Sequence, residues 1–63
     1  MNPSKQIKTT KKEALSFIRY METLGYVAHT IDENTHFSKN GEVTADYAVT
    51  IIKGYGSFIM IRV

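Results

Sequence analysis

The sequence predicts a small α+β domain, with one N-terminal helix packed on a four-stranded antiparallel β-meander. Three observations carry this expectation. A helix-start signal at Thr10-Lys11-Lys12-Glu13 opens a run of apolar residues at helical spacing. The run stops at Gly25, and beyond it the apolar period falls from 3.6 residues to 2. Asn40-Gly41 then stands between two alternating segments, a strong hairpin signal because both turn positions need positive φ.

Residues 1–9 contain the only proline and show no apolar period, so they are expected to form a flexible basic arm. Residues 10–63 make the single domain. The helix is expected over Lys11 to Leu24, with Thr10 as N-cap, Glu13 closing a capping box and Gly25 at the left-handed C′ position. Tyr26 would then fold back against Met21. On a helical wheel Ala14, Phe17, Ile18, Met21 and Leu24 form the central apolar stripe, flanked by Leu15 and Tyr20. This arc spans about 220°, wider than the ~100° stripe that one packing surface requires.

Strands follow at Tyr26 to Ile31, Thr35 to Lys39, Val43 to Lys53 and Ser57 to Val63, separated by turns at Asp32-Glu33-Asn34, Asn40-Gly41 and Gly54-Tyr55-Gly56. A three-residue last turn pairs Lys53 with Ser57, Ile51 with Ile59, Val49 with Ile61 and Tyr47 with Val63, which gathers the apolar residues on one face. The expected core sets Phe17, Ile18, Met21 and Leu24 against Tyr47, Val49, Ile51, Ile59 and Ile61. Ala48, Thr50, Ile52, Phe58, Met60 and Arg62 fall on the opposite face, together with Val27, His29 and Ile31. A bulge near Asn34 or Ala45 would exchange the faces locally.

At 63 residues the chain is too short for a two-domain enzyme, a doubly wound nucleotide fold or a long repeat array. Hydrophobic residues make up 43%, enough for a core and unlike a disordered chain. Cysteine is absent, which removes disulfides and thiolate metal sites and suits a cytoplasmic protein. The longest apolar run, Phe58 to Ile61, is far short of the ~18 residues of a membrane span, so no membrane partner is expected. The net charge of +2 is uneven. Residues 1–12 carry Lys5, Lys8, Lys11 and Lys12 without an acid, whereas the rest carries six acids against Arg19, Lys39, Lys53 and Arg62.

The motifs that would carry chemistry read more simply as structure. His29, Asp32, Glu33 and His36 cross a turn without a metal-ligand spacing, so they read as a solvated turn between two histidines and no metal is expected. Gly54-Tyr55-Gly56 lies between strands and opens no helix, so its glycines serve the turn and do not cradle phosphate. Ser16, Ser38 and Ser57 have no visible base and third partner. No catalytic residue, cofactor or small-molecule substrate is expected, and the chain reads as a non-enzyme. In outline, a helix, Gly25-Tyr26, a strand and then His36 opening the next strand are similar to small HicA-type toxin ribonucleases. That resemblance covers about twenty residues and implies ribonuclease activity. Acidic Asp32-Glu33 before the histidine and the lack of a final helix depart from it.

The functional expectation is a small binding protein that acts by occupying a macromolecular partner, in the style of inhibitors and accessory factors of phages and mobile elements. Its contact residues are Ile52, Tyr55, Phe58, Met60 and Arg62, because an apolar second sheet face marks an interaction surface. The partner is another protein, or a second copy in a homodimer joined by the same face or by a free edge of the last strand. The alternative is nucleic acid, followed by Lys5, Lys8, Lys11 and Lys12 of the arm, with Phe37, Phe58, Lys53 and Arg62 as a sheet platform.

Overall fold

The helix begins and ends where local side-chain chemistry requires. In the computed structural model, which describes residues 4–62, α1 spans Lys11–Thr23. The Thr10 hydroxyl accepts from the Glu13 backbone N–H at 3.1 Å, and the Glu13 carboxylate accepts from the Thr10 N–H at 3.0 Å. At the other end Gly25 takes φ +97°. The Gly25 N–H donates to the Glu22 carbonyl and the Tyr26 N–H to the Met21 carbonyl, which together make the Schellman ending. Leu24 is the C-cap and is exposed, so it leaves the core expected for it.

Five strands form one antiparallel sheet: β1 (Ser4–Thr9), β2 (Val27–Ile31), β3 (Asn34–Lys39), β4 (Glu42–Ile52) and β5 (Gly56–Arg62). Their spatial order is β1-β5-β4-β3-β2. The expected four-strand meander is therefore incomplete. β2 to β5 run as a meander, but Ser4–Thr9, expected in a flexible arm, adds a fifth strand beside β5. Residues 1–3 of that arm, and residue 63 of the last strand, lie outside the described residues. The chain passes from one edge strand through α1 to the other edge, so the helix lies across a single face of the sheet. The edge of β5 is covered by β1, and β1 and β2 are the edges instead.

The β4–β5 hairpin turns one residue earlier than expected. Tyr47 pairs with Ile61, Val49 with Ile59, Ile51 with Ser57 and Ile52 with Gly56, leaving Lys53-Gly54-Tyr55 as the loop. The cause is Gly56, which at φ +148° joins the strand instead of the turn. Relative to the expected pairing the register moves by two residues, an even shift that keeps every side chain on its expected face.

Between β3 and β4 the ladder is interrupted. Phe37 pairs with Thr44, while His36 pairs with Ala48. The additional residues at 45–47 exchange the faces of β4: Thr44 lies on the helix side before the bulge, and Tyr47, Val49 and Ile51 lie there after it. Val43 is thereby sent to the open face. The Thr44 hydroxyl accepts from the Asp46 N–H at 3.2 Å and steadies the bulged backbone.

The core is Ala14, Met21, Phe37 and Val49, with Phe17, Ile18, Tyr26, Ala28, Tyr47, Ile51 and Ile59 packed around it. Phe17 stands edge-on to Phe37 at 6.0 Å between ring centroids and tilted against Tyr47 at 6.0 Å. Burying a side chain the size of Phe37 contributes about 2–3 kcal/mol. The wide apolar arc of α1 is only partly used, because Leu15 and Tyr20 on its flanks remain exposed.

Candidate functional site

Among the described residues, no element covers the face of the sheet away from α1. Strand alternation places Phe58 and Met60 of β5 there, with Ala48, Thr50 and Ile52 of β4, Asn34, His36 and Ser38 of β3, and Val27, His29 and Ile31 of β2. Gln6 and Lys8 of β1 complete it. An uncovered antiparallel face is ordinarily polar. Here the apolar residues gather in two patches, separated by a polar bridge in which the Thr50 hydroxyl donates to Asn34 Oδ1 at 2.7 Å.

The first patch lies over β4 and β5 and contains most of the contact residues expected from the sequence. Ile52 and Phe58 are half-buried, Met60 is 40% exposed, and Tyr55 at the loop tip is 71% exposed. The Tyr55 and Phe58 rings are 6.1 Å apart at 40°, a tilted aromatic pair. Gly56 lies beneath them, and a Cβ there would stand 3.5 Å from Lys8 Cε and 4.0 Å from Phe58 Cζ. These are ordinary contact distances, so the backbone φ of +148°, and not a lack of space, favours glycine at 56. Arg62 closes β5, and its side chain lies outside the described set.

The second patch was not anticipated as a unit. His29, Ile31, His36, Ser38, Gly41 and Val43 line a shallow hollow of about 500 Å³. His29 and His36 are directly opposed across β2 and β3, and His29 Nε2 shares a hydrogen bond of 2.8 Å with Ser38 Oγ. Asp32 and Glu33 sit in the turn beyond. Among the described residues no three His, Asp or Glu side chains gather in a metal-binding cluster. The signal for the hydrophobic rim was the alternation of Val27, His29 and Ile31. Val43 could not be placed without the bulge.

The four lysines assigned to the arm do not stay together. Lys5 and Lys8 point to opposite faces of β1, and Lys11 and Lys12 occupy the first turn of α1. Lys11, Lys12 and Arg19 line a groove of about 450 Å³ with Leu15 and Ser16 on the helix surface. At the same end, Lys11 and the Lys53-Gly54-Tyr55 loop border a hollow of about 380 Å³. Basic residues therefore converge on the corner where β1, the start of α1 and the β4–β5 loop meet. Glu42, Asp46, Asp32 and Glu33 lie on β4 and on the β2–β3 turn, away from β1. Phe37, expected in an aromatic platform on the open face, is instead buried against α1.

At the start of α1 the Thr10 backbone N–H, and then its side chain, hold the Glu13 carboxyl below the ordinary carboxylate value. Among the described residues no helix is long and apolar enough to cross a membrane. Comparison with protein-family models, curated proteins and solved structures finds no match.

Proposed function

We propose that this chain is a small non-enzymatic binding protein that acts by occupying a partner protein through the open face of its sheet. The observation that supports this reading is the patch of Ile52, Phe58 and Met60, left uncovered while a single helix fills the opposite face. Contiguous exposed apolar surface of this kind marks interaction sites, and the adjoining Tyr55 supplies an aromatic anchor of the type enriched at energetic centres of interfaces. An inhibitor or accessory factor of phage or mobile-element type fits this mode of action, since such a role requires occupation and no chemistry.

The test compares the immobilised chain with its Phe58→Asp variant in affinity capture from cell lysate. Phe58 lies on the open face and its loss leaves the Phe17-Phe37-Tyr47 packing intact, so the variant folds. Proteins retained by the natural sequence and lost on the variant are the expected result. Equal capture by a folded Phe58→Asp variant would remove the open face from the reading.

A second reading, binding of single-stranded nucleic acid, has one specific observation in its favour. Lys11 and Lys53 border the hollow that Tyr55 lines, Lys8 pairs across from Phe58, and Lys12 follows Lys11 in the adjoining groove of α1, an arrangement of cations and stacking faces suited to a phosphate backbone and its bases. Oligonucleotide binding that weakens steeply with salt, and disappears when these four lysines are changed to Gln, would establish it.

A further inference from the structure

The two edges of the sheet are not equivalent. β1 carries exposed Lys5 and Lys8, and charged side chains on an edge strand discourage pairing with another chain. β2 (Val27-Ala28-His29-Thr30-Ile31) has no charge, proline or glycine, and its Val27 and Ile31 are 56% and 65% exposed. β3 pairs with one side of β2, and among the described residues no strand lies on the other side. We propose that β2 is a self-pairing edge: two copies of this chain join their β2 strands antiparallel about a two-fold axis at His29, forming one continuous sheet. This goes beyond the reading above, which rests on the Ile52-Phe58-Met60 patch over β4 and β5.

The ladder favours this register. Ile31 and Asn34 flank the two-residue turn Asp32-Glu33 and so form a hydrogen-bonded pair. Alternation then directs the His29 and Val27 backbone groups to β3 and turns the N–H and C=O of Ala28 and Thr30 toward the free edge. With His29 opposite His29 of the second copy, Ala28 of each meets Thr30 of the other, and each such pair exchanges both its hydrogen bonds. Val27 of one copy then faces Ile31 of the other on the open face, apolar against apolar.

Charge points the same way. The acidic turn Asp32-Glu33 follows β2 at one end. Lys39 stands at the other, with its Nζ donating to the Leu24 carbonyl at 3.0 Å and lying 5.1 Å from the Tyr26 ring centroid. Antiparallel pairing brings the acidic turn of each copy to the Lys39 end of the other. Parallel pairing would set the two acidic turns side by side. A five-residue edge with its flanking side chains is smaller than the ~1,200 Å² of a standard interface, so the dimer forms at high protein concentration.

Sedimentation velocity of the full chain up to about 1 mM tests this directly. The expected result is a monomer–dimer equilibrium whose Kd rises at least about tenfold in the Val27→Lys/Ile31→Lys variant, which opposes like charges in place of the apolar pairs. Val27→Lys/Ile31→Glu should restore the dimer, because opposed positions then carry opposite charges. A second readout is independent of stability. The natural chain has no cysteine, and directly opposed residues of a non-hydrogen-bonded pair have Cα atoms ~4.5 Å apart, within disulfide reach. His29→Cys should therefore form a covalent dimer under mild oxidation, and Ser16→Cys on the exposed side of α1 should not. A chain monomeric throughout, a dimer indifferent to Val27→Lys/Ile31→Lys, or equal cross-linking of the two cysteine variants would overturn the proposal.

Discussion

Glu13 shows how one side chain can link local geometry to the stability of the whole chain. Its carboxylate accepts the Thr10 N–H, and that bond, with the Thr10 side chain, lowers its pKa in the folded state. A carboxyl with a folded pKa below its unfolded value contributes stability above the unfolded value and loses it as pH falls through the folded one. Glu13→Gln should therefore melt below the natural chain at neutral pH, with the gap closing as the solution becomes acid. Thermal melts of both chains across that range check this, and a gap unchanged in acid would contradict it. The capping box was legible in the sequence because every group that forms it lies within four consecutive residues, Thr10 to Glu13. Tyr26 was legible for the same reason, since the Schellman ending binds it to Met21 through local backbone alone. The burial of Phe37 was missed. Its signal was present in the polar His36 and Ser38 on either side, which point Phe37 to the opposite face from themselves.

Among the strands, β3 and β4 supply the two buried apolar side chains of the core, Phe37 and Val49, and their contact is also where the ladder is least regular. Phe37 is fully buried, edge-on to Phe17. Phe37→Ala should cost about 3–5 kcal/mol, a large fraction of what a chain this size possesses, and should abolish cooperative urea unfolding. A variant with a sharp transition near the natural midpoint would contradict this account of the core. A bulge near Ala45 was one of the two positions the sequence offered, and the ladder is interrupted there, opposite His36 and Phe37. The sequence did not choose between Asn34 and Ala45, because Ala45 and Asp46 carry no marked preference for either face. β1 was missed for a different physical reason. Ser-Lys-Gln-Ile-Lys-Thr has one apolar residue and no alternation of its own, and it is a strand because β5 offers a complete row of partners. Such an element is specified by tertiary pairing and leaves little trace in its own residues. The parity of the β4–β5 hairpin survived a wrong loop boundary, since the apolar pattern constrains faces more tightly than it constrains the exact pairing.

For the molecule as a whole, the correction of β1 changes what the N-terminus does. It closes the edge of β5 and sets Ile7 against Ile59 on the helix side of the sheet. Removing residues 1–9 should thus lower the melting temperature and promote association through the exposed β5 edge. An unchanged melting temperature on calorimetry, with the truncated chain still monomeric, would show β1 to be dispensable. The charge pattern is likewise a property of the fold: lysines distant in sequence, Lys8 and Lys53, come to one corner because β1 and the β4–β5 loop are neighbours in the sheet.

The central claim is that the partner is a protein met by a dry apolar face, so the most direct measurement is sedimentation equilibrium of the purified chain with a mixed-sequence single-stranded oligonucleotide at low and high salt. The account predicts that the oligonucleotide, followed by its own absorbance, sediments at its free mass in both conditions. An oligonucleotide that sediments with the chain at low salt and is released at high salt would contradict it and assign function to the basic corner.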